Sequence, residues 1–341
     1  MKILIANDGI HAHYYERLAW CNAFNASGIE ARMYDVKVPA FGIFDSYEPD
    51  IFIGQLYNLD RATIKCIQAR PHLKVALRSG EFNNKEKNPH ILSVGPEELS
   101  QLRTLQDSTG KPDFIFSYYL QKDIDQTHEG FSKMGIKLVG IPMSADVHTY
   151  YHGQLRPELE CDIAFVGGYW PYKAQVLDIF LLPILADFRY NVKIFGNQMW
   201  PHTNQYSGVI ADDLVRVLFV SAKICPNLSE PHSQQYGIDV NERAFKVLAA
   251  GGFCIMDNVR AAREIFGHGV VFADSPKEFR DLIQYYLTQP EERGKISKAG
   301  HNIVMGAHTN YHRAALFMNS FNEVQASERI LNAYNNHFQQ G

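Results

Sequence analysis

Short apolar runs alternate with helix-patterned segments from one end of this chain to the other, the arrangement required by parallel sheets covered by helices on both faces. Candidate strands in the first half are Ile3–Ala6, Ala31–Val36, Ile51–Gly54, Lys74–Arg78, Ile91–Val94, Phe114–Ser117 and Ile136–Gly140, with helical patterns near Tyr14–Ala26, Asp60–Ala69, Pro96–Leu105 and Asp123–Met134. A polar stretch from His148 to Glu160, containing Pro157, interrupts the series, and Asp162–Gly168 opens a second one. The second series holds strands near Val192–Phe195, Lys223–Pro226, Phe253–Met256 and Val270–Ala273, and a first helix near Tyr172–Ala186. The expected fold is α/β, with two Rossmann-like doubly wound domains facing across a cleft. They are placed at residues 1–150 and 151–320, and residues 321–341 form a helix able to pack back on the first domain. In open α/β sheets ligands bind beyond the carboxyl ends of the strands, so two such domains predict one ligand on each wall and a two-substrate transfer.

Composition narrows the function. The net charge of −4 provides no global positive field to gather nucleic acid or anionic membrane. The five cysteines are far apart and never spaced C-x-x-C, which predicts reduced thiols and a cytoplasmic location in place of a disulfide scaffold or a zinc finger. Asn7, Asp8 and Gly9 follow the apolar Ile3–Ala6 at once, so that run reads as a first buried strand, not as a signal-peptide core. Ile179–Ala186, broken by Pro183, is too short to span a bilayer.

Three segments offer chemistry. The loop after the first strand places Gly9, His11 and His13 where a doubly wound domain meets its ligand, although a strand-to-helix turn with exposed histidines has the same look. No third residue at metal-ligand spacing accompanies the histidines, so no metal site is expected. At the start of the second domain, Gly167 and Gly168 end a strand, and Lys173 lies in the first turn of the next helix. A helix amino terminus and an ammonium together suit a diphosphate. In Asp239–Gly252, Asn241 or Asp239 is positioned to cap a helix, while Arg243 and Lys246 are three residues apart on one face. Those two cations repel unless an anion lies between them; alternatively, Glu242 pairs with Lys246 one turn on.

Four segments, kept in order, carry a resemblance: Cys161–Gly168 with Lys173, Ser221–Asn227, Asn241–Phe253 and His308–Arg313. Together they resemble glycosyltransferases of the two-Rossmann-domain (GT-B) architecture, in particular the group of CgeB-like spore-maturation proteins. The resemblance implies a nucleotide-sugar donor bound by the second domain, a uridine diphosphate sugar being the first candidate, and a hydroxyl acceptor bound by the first. It puts Gly167, Gly168 and Lys173 at the diphosphate, Asn227 in the sugar-donor pocket, and the helix from Asn241, with Arg243, against phosphate and sugar. It also implies that no cofactor and no metal are needed, because helix amides and basic side chains stabilise the leaving diphosphate. One position departs from the pattern. Lys246 stands where an acidic residue commonly holds the ribose hydroxyls, which weakens ordinary ribose recognition and favours an extra phosphate contact.

For the first domain the candidates come from chemistry alone. Glu81, after the Lys74–Arg78 strand, is placed to take the proton of an acceptor hydroxyl as a general base, with His13 as its neighbour in role. Asp146 lies beside the interdomain crossing, where Gly9 and His11 are also expected to line acceptor or cleft. Trp20, Trp170 and Trp200 read as packing, with Trp170 close enough to Gly168 to stack on a base or sugar. Two alternatives accompany sugar transfer: a sugar-nucleotide-binding protein without turnover, motivated by Lys246, and a transferase that glycosylates modified DNA bases, in which nucleic acid enters only as acceptor. No membrane span is expected, and the oligomeric state is left open.

Overall fold

The computed structural model describes residues 1–9, 12–83, 93–201 and 205–338. The first series runs β1 (Lys2–Asn7), α1 (Ala12–Ala26), β2 (Glu30–Asp35), α2 (Ala40–Tyr47), β3 (Ile51–Gln55), α3 (Arg61–Gln68), β4 (Lys74–Arg78), α4 (Pro96–Thr109), β5 (Phe114–Ser117), α5 (Gln121–Thr127), α6 (Glu129–Lys133) and β6 (Leu138–Gly140). The second runs β7 (Cys161–Val166), α7 (Pro171–Phe180), α8 (Leu182–Leu185), β8 (Val192–Phe195), α9 (Asp212–Ser221), β9 (Ala222–Asn227), α10 (Pro231–Tyr236), α11 (Glu242–Ala249), β10 (Cys254–Asp257), α12 (Arg260–Phe266), β11 (Val271–Ala273), α13 (Pro276–Leu287) and α14 (Pro290–Ala307). Two further helices follow, α15 (Asn310–Ser320) and α16 (Val324–Phe338).

Both sheets are parallel, in the orders β2-β1-β3-β4-β5-β6 and β11-β10-β9-β7-β8. In each, the second strand pairs on one side of the first and the third on the other, so winding reverses between β1 and β3 in one sheet and between β7 and β9 in the other. Such reversal points are where open α/β sheets hold their ligands. The central strands are apolar runs buried on both faces: Ile3, Leu4 and Ile5, Val75, Ala76 and Leu77, and Cys254, Ile255 and Met256 are all fully buried. Local chemistry sets the helix starts. Asp60 accepts from the Thr63 amide to cap α3, Ser275 does the same for Glu278 in α13, and proline opens α4, α7, α10, α13 and α14.

The chain forms two compact units, Met1–Pro142 with Asn310–Gly341, and Met143–Thr309. The first division therefore falls eight residues before the expected 150/151 boundary, and the return to the first unit begins at Asn310, not at 321. One contact explains both limits. Ala145 and Thr309 form a parallel bridge, with the Ala145 amide donating to the His308 carbonyl at 3.0 Å, so the ends of the second unit are stitched to each other. The returning helices belong to the first unit by packing. Phe317 meets Trp20 and Phe116 at ring centroids of 4.8 and 5.0 Å, Phe321 meets Phe114 at 4.6 Å, and Asn310 Nδ2 donates to the Ala19 carbonyl.

Other differences from the sequence reading have local causes. The expected helix near Tyr172–Ala186 is two helices, α7 and α8, because Pro183 cannot donate to the preceding turn. Asp123–Met134 likewise divides at His128, where φ is −119° and ψ is 20°. Of the expected strand Ile91–Val94, residues 91 and 92 lie outside the described residues, and Ser93 makes only an isolated bridge to Phe82. Helices α2 and α10 were not anticipated. All five cysteines are buried and unpaired. Among the described residues no helix is long and apolar enough to cross a membrane.

Candidate functional site

In the second unit the site assembles at the β7/β9 reversal. The chain leaves β7 through Val166, Gly167 and Gly168, and β9 ends in Asn227, which is fully buried. Arg243, in the first turn of α11, ties the two strand ends together. Its Nε donates to the Val166 carbonyl at 2.7 Å, its Nη1 to Asn227 Oδ1 at 3.2 Å, and its guanidinium carbon lies 4.2 Å from the centre of the Phe165 ring. Burial pulls this guanidinium down to about 10, so it stays charged at neutral pH.

The glycines are small for a reason visible in the packing. A Cβ on Gly167 would come within 2.6 Å of Arg243 Nη2, and one on Gly168 within 2.7 Å of Asn197 Oδ1. Trp200, expected only to pack, is fully buried and also donates its Nε1 to the Gly167 carbonyl at 2.9 Å, fixing the turn from below. Trp170 is exposed, with its indole nitrogen 2.9 Å from where a Cβ on Gly168 would stand. Gly196, after β8, passes so close that an added Cβ would lie 2.7 Å from the Gly167 carbonyl carbon, a backbone atom that cannot step aside. Gly196→Ala is accordingly expected to cost the protein about 1–3 kcal/mol and to weaken sugar-donor binding as well. Denaturant unfolding and nucleotide titration of the variant check both.

Around the start of α11 two buried polar atoms lack any hydrogen-bond partner, Asn227 Nδ2 and Asn241 Oδ1. Asn241 occupies the N-cap position but does not cap. Its Nδ2 donates to the Leu228 carbonyl at 2.9 Å, leaving the first amides of α11 without a side-chain acceptor. Nor is Asp239 the cap: at φ 63° it accepts from His232 Nε2 at 3.3 Å. The Tyr172 ring stacks on His232 at 6.0 Å and 11° between planes. Orphaned groups at a helix amino terminus, with a guanidinium beside them, are what an anionic, hydroxyl-bearing ligand would satisfy.

The two remaining cations are already engaged. Lys173 Nζ is 2.8 Å from Glu230 Oε1, and Lys246 Nζ is 2.9 Å from Glu242 Oε1 and 5.0 Å from the centre of the Tyr150 ring. The structure therefore gives Lys246 the intrahelical partner that was the alternative to an open phosphate contact. Asp146, assigned to acceptor or cleft, opens the second unit and uses its carboxylate in a turn, accepting from the His148 amide at 3.0 Å and the Thr149 hydroxyl at 3.1 Å.

In the first unit, Gly9 follows β1 at φ 140°, and His11 lies outside the described residues. His13 Nε2 is 3.4 Å from Arg78 Nη2, and its ring centroid is 5.1 Å from that of Tyr118. Glu81 is half-buried. Burial, aided by Glu98 and opposed by Arg78, raises its carboxyl above the ordinary range, which suits a proton acceptor. Arg17, Gln55, Tyr57 and Arg78, which sequence reasoning passed over, gather at the same strand ends. Arg17 Nη1 donates to Asp8 Oδ1 at 2.7 Å and Asn7 Oδ1 at 3.0 Å, and the Tyr57 hydroxyl donates to Asp8 Oδ2 at 2.6 Å. Among the described residues no group of three or more His, Cys, Asp or Glu side chains is arranged to hold a metal ion.

Comparison with known proteins bears on this arrangement. The family model described as glycosyl transferase-like matches residues 178–319. Sucrose-phosphate synthase from Thermosynechococcus elongatus superposes with a TM-score of 0.67 at 11% identity, over 96% of this chain and 99% of that one. The T4 phage BGT in complex with UDP and Mn2+ gives 0.57 at 12% identity, over 98% and 100%. The chain has the two-Rossmann-domain GT-B fold. An alpha-glucosyltransferase in complex with UDP and a 13-mer DNA containing a HMU base gives 0.62 at 12% identity, over 95% and 99%. At these identities the likeness is one of fold. No curated protein matches the sequence. The glycosyltransferase match begins within α7 and takes in Asn227, Asn241, Arg243 and Lys246, whereas Gly167, Gly168 and Lys173 lie just ahead of it.

Proposed function

We propose that the second unit holds a nucleoside diphosphate sugar, a uridine diphosphate sugar first, between the Gly167–Gly168 turn and the start of α11, and that the sugar passes to a hydroxyl of an acceptor. The observation that carries this reading is the pair of orphaned atoms, Asn227 Nδ2 and Asn241 Oδ1, flanking Arg243 at the β7/β9 reversal. The α11 amides and Arg243 would stabilise charge growing on the leaving diphosphate, the term that dominates when a sugar–phosphate bond breaks. Gly167, Gly168, Asn227 and Asn241 form the pocket, with Lys173 and Lys246 at its margin, where exchange of their carboxylate partners for phosphate is open to them.

Glu81 is assigned as the base that takes the acceptor's hydroxyl proton, with His13 beside Arg78 as the second group able to carry it. Among glycosyltransferases the four motif segments favour the CgeB-like group. The DNA-modifying reading keeps its place because of the neighbour bound to a DNA 13-mer; a duplex carrying hydroxymethylated bases tests it directly. The reading without turnover loses its motive, since Lys246 has a carboxylate partner within its own helix.

The test is a thermal-shift panel of nucleotides followed by a transfer assay. Uridine diphosphate at a hundred times its dissociation constant is expected to stabilise the protein by about 2.7 kcal/mol. We propose that no metal is required, so donor hydrolysis or transfer should survive EDTA. Saturable binding without any product, or activity that EDTA abolishes and Mn2+ restores, would count against this assignment.

A further inference from the structure

Arg78 ends β4 and is 8% exposed, yet among the described residues no carboxylate lies within ion-pair distance of it. Its guanidinium carbon rests 4.4 Å from the centre of the Tyr118 ring, Nη2 faces His13 at 3.4 Å, and Nε is shut from solvent without a hydrogen-bond partner. A buried cation that touches an aromatic face and an imidazole, with Glu81 acting on it only from beyond ion-pair distance, is incomplete, because desolvated guanidinium groups are ordinarily matched by an anion in contact.

Two neighbours at the β1/β3 reversal share the deficit. Arg17, 2% exposed, spends Nη1 on Asp8 and Asn7 but leaves Nη2 buried and unpartnered. Gln55, the last residue of β3 and 3% exposed, has neither its Nε2 nor its Oε1 hydrogen-bonded. Two strand ends of one sheet, with helix α1, thus present a positive charge, further N–H groups and an unbonded carboxamide at the place where such sheets take ligands.

We infer that the acceptor is a small polyol bearing a phosphate or carboxylate, which Arg78 and Arg17 hold while Gln55 reads its hydroxyls. This deepens the sugar-transfer reading and rests on it for the word acceptor. The chemistry of the site also tells a compact anion from a nucleic-acid backbone. Phosphodiester tracking uses exposed cations along a groove, whereas these guanidinium groups, one at the end of β4 and one on α1, are buried and pair naturally with one terminal anion in bidentate fashion.

The experiment uses the full chain saturated with uridine diphosphate, so that the nucleotide occupies the second unit. Glucose 6-phosphate, glucuronate and glucose are then titrated by calorimetry and thermal shift. The two anionic sugars are expected to bind at least about tenfold more tightly than glucose, and Arg78→Met to erase that preference while the uridine diphosphate shift persists. Equal binding of the charged and neutral sugars, or none, would overturn the inference, as would an unaltered preference in Arg78→Met. If that variant does not fold, Arg78→Lys keeps the charge and loses the fork; affinity for the anionic sugars should still drop, and an unchanged value sinks the idea. Arg78-dependent binding of hydroxymethylated duplex DNA, with no response to either anionic sugar, would likewise reject it. Absence of any uridine diphosphate shift speaks only against the sugar-donor reading, and the anion titration is then made on the free protein.

Discussion

Arg243→Met is expected to lower kcat/KM for the nucleotide sugar by about 10²–10³-fold, the loss seen when one preorganised group facing a developing anion is removed. Three contacts set this residue apart from the other cations. Its Nε and Nη1 are fixed on Val166 and Asn227, and its ring-facing plane is fixed on Phe165, so the charge is held in place before any ligand arrives. Lys173 and Lys246 must first leave Glu230 and Glu242, and what they offer a phosphate is the difference between two ion pairs. Lys173→Ala is therefore expected to weaken sugar-donor binding far less than Arg243→Met.

The variant also strands the Val166 carbonyl and Asn227 Oδ1, at about 1–3 kcal/mol for each group left unpaired, so its unliganded melting temperature must be measured beside its kinetics. Arg243→Lys separates the two effects: it restores a charge but not the fork, and should recover stability more fully than rate. A methionine variant that still shows the full uridine diphosphate shift would remove Arg243 from the site.

How much of this could be read from the chain follows the range of each interaction. The sheets were legible because strands buried on both faces are apolar without interruption, as in Val75–Leu77 and Cys254–Met256. The Gly167–Gly168 turn and the α11 segment were legible because helix starts and strand ends carry local signatures. Helix α2 was missed because Phe41, Gly42 and Ile43 give no polar face to set a period, and α10 because six residues are too few to show one. Arg17, Gln55 and Arg78 were missed for a different reason. Nothing within a few residues of Arg17 distinguishes it from a solvated helix cation; only the fold brings it to Asn7, and only the unbonded Nε of Arg78 and carboxamide of Gln55 mark the place as unfinished. Trp200 shows the same limit, since its bond to Gly167 spans 33 residues.

Acidification is expected to destabilise the first unit through a single imidazole. His128 is fully buried at the junction of α5 and α6, with Nε2 donating to the Ser79 carbonyl at 3.2 Å and the Thr127 hydroxyl 2.7 Å from Nδ1. Burial, with a smaller push from Arg78, lowers it from 6.5 to about 4. Above pH 6.5 the ring is neutral whether the chain is folded or not, and the stabilising contribution is complete. Between 6.5 and 4 the unfolded chain takes up a proton that the folded one refuses, so stability falls by about 1.4 kcal/mol per pH unit, to a total of about 3 kcal/mol. Below 4 both states are protonated and this contribution stays lost.

Carboxylates titrate over the same range, so the measurement is a difference: denaturant unfolding at pH 7 and 4.5 for the wild type and for His128→Gln, whose amide can still donate to Ser79. The wild type should lose about 2–3 kcal/mol more than the variant between those pH values, and parallel losses would show that His128 takes no part. The consequence reaches the candidate acceptor groups, because Ser79 lies between Arg78 and Glu81. A charged His128 repels the Arg78 guanidinium, so anion binding to the folded protein should weaken only near pH 4, where the folded ring takes up its proton, below the range over which most of the stability is lost.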